Sequence, residues 1–272
     1  MATAAWARFG FGFVELGPCW GSAPIVDSRF RVDLSQKSPA MESSVSLLPV
    51  SMMQARLRQC PSNIACLVRL MPGQAMAPTA AASELVELAH SLVDRVLGFS
   101  VDLRLASVGW GRADWDVFWR CLTTERDPIE GKACLSAENM VLVLGTSFSL
   151  REVQTACEWG IQHWMIETSR FEGGKLVLAH ENTMELPGRI ESLVSILKSP
   201  ASSVLVQGCF TEPEEVSAAI DAGATGALID LGLVVSGPGF AKRANDWLVS
   251  QKVSLESVHD RSSESTPVFR TS

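Results

Sequence analysis

The stretch from Val204 to Trp247 limits the possible folds more than any other part of the chain. Ser203-Val-Leu-Val206 is short, apolar and β-branched, as a strand covered on both faces should be. Gly208 closes it. Glu212-Pro-Glu-Glu215 then places proline and carboxylates in a first helical turn, where a missing N–H costs nothing and negative charge meets the positive end of the helix dipole. The helix that follows buries Val216, Ala219 and Ile220 and ends at Gly223. Gly226-Ala-Leu-Ile-Asp230 is a second buried strand, followed by Gly232, another short apolar run, and Gly237-Pro-Gly239 opening a helix with Phe240, Ala244 and Trp247.

Two β-turn-α units in succession are the closing quarter of a parallel (β/α) barrel. There the loops after the last two strands hold a phosphate through backbone N–H groups in many enzymes. Gly208, Gly232 and Gly237 either let the backbone approach such a ligand or only serve tight turns. The length of 272 residues suits one barrel, for which about 250 residues is typical. A content of 47% hydrophobic and 19% charged residues describes a globular chain with a large interior. The expected division is a barrel over residues 1–251 and a disordered tail over 252–272, which is rich in serine and charge.

The net charge of −7, with no basic stripe, argues against a nucleic-acid surface and leaves small molecules or proteins as partners. Seven cysteines, odd in number and never spaced C-x-x-C, indicate neither a disulfide framework nor a metal site. A reducing cytoplasm is the expected compartment. No apolar run approaches the roughly 20 residues that span a bilayer, so no integral membrane segment is expected. Nothing in the sequence sets an oligomeric state.

Along the chain, Ala2 to Arg8 reads as a helix and Gly10-Phe-Gly-Phe-Val-Glu-Leu-Gly17 as a buried strand, so a barrel would lack its first strand. Pro18 to Ser44 reads as a long irregular loop, and Val45 to Val50 as a weak strand. Ile64–Leu70 reads as a better strand, Ala80–Leu97 as an amphipathic helix and Phe99–Leu105 as a strand whose Asp102 and Arg104 share a face. Trp110, Trp115, Phe118 and Trp119 mark a loop and helix. Met140–Leu144 is a strand, and Ser149 with Glu152 forms a capping box for a helix from Leu150 to Trp159. Ile161–Thr168 is the sixth strand, Glu172-Gly-Gly-Lys175 a flexible loop and Ile190–Leu197 a helix.

With that order laid out, the chain resembles the dihydroorotate dehydrogenases, FMN-binding (β/α) barrels of the TIM type, and most of all their quinone-dependent class. Gly10-Phe-Gly-Phe-Val-Glu-Leu-Gly17 is similar to the family's G-F-G-x-[VI]-E-[VI]-G, and Arg29-Phe-Arg-Val32 faintly to its R-L-F-R. The run from Ala222 to Asn245 is similar to the family's A-G-A-x-x-V-Q-[VIL]-Y-[ST]-G-x-x-x-x-G-P-x-[LF]-x-x-x-x-N. The resemblance covers the chain except for the family's N-terminal segment and first strand. With no counterpart of the membrane-associating helices of that class, a soluble protein is expected.

The resemblance implies an FMN-dependent oxidoreductase of pyrimidine biosynthesis, with Ser107 as catalytic base and Thr168, Gly174, Gly208 and Gly232 around the cofactor. The departures fall on the chemistry. Leu144 stands where the family has a lysine beside the flavin, and Glu167 where it has a neutral amide. Only Ser107 survives from the substrate loop. Cys209 replaces a phosphate-site glycine, and Asp230 falls where the family has tyrosine. These changes predict weak FMN binding and no dihydroorotate oxidation. The alternative they favour is a non-catalytic barrel that binds a small ligand or a protein.

Overall fold

The computed structural model describes residues 12–20, 30–33, 40–44, 48–62, 64–92, 96–124, 135–136, 139–172 and 175–263. The expected helix at Ala2–Arg8 and the residues Arg29 and Gly174 lie outside them. In chain order the strands are β1 (Phe13–Trp20), β2 (Phe30–Asp33), β3 (Ala40–Ser44), β4 (Leu48–Pro49), β5 (Ala65–Leu70), β6 (Gly98–Asp102), β7 (Met140–Gly145), β8 (His163–Glu167), β9 (Arg170–Glu172), β10 (Lys175–Ala179), β11 (Ser203–Gly208) and β12 (Gly226–Ile229). The helices are α1 (Val50–Gln59), α2 (Pro78–His90), α3 (Arg112–Thr124), α4 (Leu150–Glu158), α5 (Leu186–Val194), α6 (Pro213–Asp221), α7 (Leu231–Val235) and α8 (Phe240–Ser263). A 3₁₀ turn, His180–Glu185, precedes α5.

Seven parallel strands, β12-β11-β8-β7-β6-β5-β1, form a curled sheet with helices between them, and β4 adds two residues at the end of β1. Among the described residues this is a (β/α) barrel short of one strand, as the sequence predicts. Alternation along each strand sorts the apolar residues into two layers. Val68, Val101, Leu142, Ile166 and Val206 pack outward under the helices. Val141, Val143, Met165 and Leu228 face the interior with Phe13 and Leu205. Both layers are apolar at this level, so the strands read as continuous hydrophobic runs.

A smaller antiparallel sheet, β2-β3-β10-β9, pairs Phe30–Asp33 with Ala40–Ser44 and Lys175–Ala179 with Ala40–Ser44. The stretch from Pro18 to Ser44, expected as irregular loop, therefore carries two strands. Of the strand expected over Val45–Val50, residues 45–47 lie outside the described ones, Leu48–Pro49 form β4, and Val50 starts α1, a helix the sequence reading missed. α1 buries only Met53 and Leu57, too little apolar periodicity to stand out. α2 stops at His90 rather than Leu97. Its end is fixed by Ser91, whose hydroxyl donates to the Glu87 carbonyl at 2.9 Å while its own carbonyl accepts from Gln54 Nε2 at 2.9 Å. α8 runs to Ser263, through the first part of the expected tail.

Gly17 shows why a glycine interrupts β1. Its φ is +144°, and a Cβ there would lie 2.8 Å from Arg69 Cβ and 2.9 Å from the Arg69 carbonyl. The register of β1 against β5 shifts between Leu16 and Cys19 to admit it.

β6 is buried along its whole length, and Phe99 on it is fully enclosed. Phe99→Ala should lower stability by about 3–5 kcal/mol. The expected readout is a lower urea midpoint with an unchanged slope.

Candidate functional site

Above the apolar floor the barrel interior is filled by an ion cluster to which five strands contribute. Arg69, from β5, sits at the centre. Its Nε donates to Glu15 Oε1 at 3.1 Å and its Nη2 to Glu15 Oε2 at 2.9 Å. The same guanidinium also binds Glu167 and Gln207, and Asp102 lies 3.9 Å away. Arg104 grips Asp102 through two bonds of 3.0 and 2.7 Å, reaches Glu167 Oε2 at 2.8 Å and donates to the Ser169 carbonyl at 2.9 Å. Asp102 and Arg104, expected to share a face, do pair. Ser100 donates to Glu15, Ser169 to Glu167, and Gln207 to Asp230.

Burial opposes the charges of both arginines, but the carboxylates outweigh it. Both guanidinium pKa values lie above their usual range. Burial likewise works against ionised Asp102, and Arg104 overcomes it, holding that carboxyl below its usual range. Two cations face four carboxylates, Glu15, Asp102, Glu167 and Asp230. Among the described residues the Asp230 carboxylate is bonded only by Gln207 and is the one of the four without an arginine contact.

Thr168, Gly208 and Gly232 are brought together around the segment 207–210. The Thr168 amide donates to the Gln207 carbonyl at 3.0 Å and its carbonyl accepts from Asn182 Nδ2 at 3.2 Å. Its hydroxyl is buried with no partner. At Gly208 a Cβ would lie 3.1 Å from Leu186 and 3.3 Å from the Phe210 ring. Gly232 lies within α7, not in a loop, and a Cβ there would come within 2.1 Å of the Phe210 carbonyl.

Ser107 lies elsewhere, in the turn after β6, with its amide on the Leu103 carbonyl at 2.8 Å. It lines a cavity of about 480 Å³ between α3 and α4 at the carboxyl ends of β6 and β7. Trp115, Trp119, Leu142, Leu144 and Phe148 make the apolar wall, and the polar lining carries Arg104, Arg170 and Arg189, the carboxylates Glu152 and Glu185, and the hydroxyls of Ser107, Thr146, Ser147 and Ser169. Arg189 stacks over Phe148 at 6.0 Å. No described histidine lines this cavity: His163 bonds Ser203 Oγ at 2.8 Å and His180 pairs with Glu215. Leu144, at the family's lysine position, belongs to the layer under the helices and to this cavity wall.

Two crystal structures of DHODH, dihydroorotate dehydrogenase, from Eimeria tenella share this architecture. The complex with ferulenol superposes with a TM-score of 0.67 at 11% identity, over 91% of this chain and 77% of that one. The ligand-free form gives 0.70 at 12% identity, over 90% and 79%. The fold is that of dihydroorotate dehydrogenase. No protein-family model and no curated protein matches the sequence, so the likeness is one of fold.

Against that fold the FMN phosphate implied by the sequence motifs does not fit the residues present. An anion at the ends of β11 and β12 needs free backbone donors and open space. The Cys209 amide donates to Thr183 Oγ1 at 3.0 Å, and those of Thr211 and Glu212 to Glu215 Oε2 at 2.7 and 3.1 Å. The Leu233 amide is held by the Asp230 carbonyl at 3.1 Å. The room at Gly208 and Gly232 is taken by Leu186 and Phe210. Sequence reasoning identified Asp102, Arg104 and Asp230 but missed Arg69 as the hub. A charged residue inside the run Ala65–Leu70 was the available signal.

Burial pushes the Asp230 carboxyl up to about 6, with Glu167 and Glu15 adding to the rise and Gln207 and Arg69 opposing it. The native state thus keeps a proton that the unfolded chain releases between about pH 4 and 6, and stability falls as pH rises through that window. Above it the cost is on the order of 3 kcal/mol. Asp230→Asn should change stability little at low pH and gain progressively on the parent towards neutrality, as read by urea unfolding at a series of pH values.

Proposed function

We propose that this chain is a dihydroorotate dehydrogenase-type barrel that does not run the flavin reaction and instead binds a small anionic ligand in the cavity beside Ser107. The observation that carries the reading is a contrast in how polar groups are used. Beyond β11 and β12 the amides of Cys209, Thr211, Glu212 and Leu233 are taken by the chain's own Thr183, Glu215 and Asp230, and the interior above the apolar floor holds the Arg69 cluster. In the cavity, Arg170 and Arg189 have no acceptor among the described residues, although Arg189 is only partly exposed. Glu152 is engaged at the start of α4, accepting from the Ser149 amide at 3.3 Å.

A volume near 480 Å³ falls within the usual range for small-molecule sites. The indoles of Trp115 and Trp119 favour a flat apolar body, and the two guanidiniums favour a carboxylate or phosphate on it. Ser107 is then a hydrogen-bond donor to the ligand. Among the described residues no histidine or lysine lines the cavity to activate it, and the Glu152 carboxylate is engaged by the Ser149 amide.

Two measurements test this reading. The purified protein should be colourless, release no FMN on denaturation and oxidise no dihydroorotate; stoichiometric flavin retained through gel filtration would overturn the first half. By calorimetry, 2-naphthoate should bind at least about tenfold more tightly than 2-naphthamide, a difference of roughly 1.4 kcal/mol, and Arg189→Gln should abolish that preference. Equal affinity for acid and amide would sink the anion assignment while leaving the absence of flavin chemistry standing.

A further inference from the structure

The curled sheet does not close among the described residues. Among the described residues β12 pairs only with β11, and the outer edge of β1 is met only at Cys19 and Trp20, by Leu48 and Pro49. The start of β1, Phe13–Glu15, and the whole of β12 line one groove of about 360 Å³. On its helix side are Val216 and Ile220 of α6 and Ala241, Ala244 and Leu248 of α8. On its interior side, Phe13 and Leu228 belong to the inner apolar layer, with Glu15 two residues further along β1 and Asp230 just past the end of β12.

We propose that this groove accepts an extended segment of another polypeptide as a parallel strand between β1 and β12, with an apolar residue and, two positions later, a lysine or arginine facing the barrel interior. Each part of that description follows from a wall of the groove. Two strand edges facing each other across one gap offer rows of N–H and C=O groups, which only an extended backbone satisfies on both sides. Both bounding strands run the same way, so an added strand continuing the sheet is parallel.

Side chains alternate along such a strand. The first interior position meets Phe13 and Leu228 and takes an apolar residue. The intervening position meets the aliphatic and alanine surface of α6 and α8 and takes a small or aliphatic one. The second interior position lies between Glu15 and Asp230. Glu15 is already held by Arg69, whereas Asp230 is bonded only by Gln207, in an interior with two cations to four carboxylates. A cation there supplies the missing charge. The partner is thus an apolar, strand-forming peptide with one basic residue, recognised mainly through its backbone.

The test uses the full chain and a fluorescein-labelled pentapeptide, Ac-Ala-Leu-Ala-Lys-Val-NH₂, followed by fluorescence anisotropy. Saturable binding is expected, weakened at least tenfold when lysine is replaced by glutamate and lost when the central backbone amide is N-methylated. Ala244→Trp, which fills the helix side of the groove, should block binding, with thermal unfolding confirming that the variant folds. Asp230→Asn should keep binding but lose the preference for lysine over glutamate. No saturable binding, or binding indifferent to N-methylation or to Ala244→Trp, overturns the proposal. A dimer of the protein alone that Ala244→Trp dissociates overturns it too, since the groove would then belong to a second copy.

Discussion

Arg69 is the group on which the interior of this barrel depends. A guanidinium buried to this degree, about 5% exposed, is tolerated only because carboxylates arrive from other strands to meet it. Glu15 supplies a fork from β1, Glu167 a bond from β8, and Gln207 an amide oxygen from β11. Such a cluster contributes little net stability relative to a well-packed apolar interior, because the desolvation of each ion offsets most of the attraction. Removing one member is another matter, costing about 3–5 kcal/mol through the charges left behind. The cluster therefore fixes register: a one-residue slip of β5 would turn Arg69 into the apolar layer under the helices, leaving Glu15 without its cation and Asp102 and Glu167 to Arg104 alone.

The same cluster bears on why a dihydroorotate dehydrogenase fold need not carry the corresponding chemistry. A fold positions strand ends, whereas chemistry depends on which side chains stand there. Here the interior holds a cluster of charges bonded mainly to one another, with two cations among four carboxylates. The donors beyond β11 are turned inward onto Thr183 and Glu215, both on segments that pack against that end. In the cavity between α3 and α4, Arg170 and Arg189 have no acceptor among the described residues. Arg170 enters it from the start of β9, and Arg189 from α5, so the excursion of the chain through β9, β10 and the 3₁₀ turn brings cations to an otherwise apolar wall.

The parallel core was legible in the sequence because its strands are apolar on both faces and its helices carry clear punctuation. Met140–Leu144, Ile64–Leu70 and the units after Val204 needed only run length and glycine or proline boundaries. The capping box at Ser149 and Glu152 was readable from spacing alone, and Glu152 does reach back to the Ser149 amide. β2 and β3 were not legible. They are short, lie in a segment rich in turn formers, and owe part of their pairing to β10, far along the chain. Gly232 misled for a related reason. A glycine after a strand reads as a loop, yet here its missing Cβ allows helix α7 to pass against the Phe210 carbonyl, a tertiary contact with no local signature. Arg69 was hidden by the quality of the strand around it, since a single charge in an apolar run says nothing about the partners that neutralise it.

Asp230 links the charge cluster to the open edge of the sheet. A closed barrel surrounds every interior side chain with neighbours from both sides, so an ion at the end of β12 would ordinarily be met by the strand on either flank. Here one flank is β11, which supplies only the neutral amide of Gln207, and the other is the groove. Burial still acts on the carboxylate while half of its potential partners are missing, which is why its pKa rises towards 6 when that of Asp102, gripped by Arg104, falls. The two aspartates lie on the same kind of strand end and differ in whether a cation reaches them. The imbalance of charge and the gap in the sheet are thus one feature, located between β1 and β12, and a strand that closed the gap with a basic residue would correct both together.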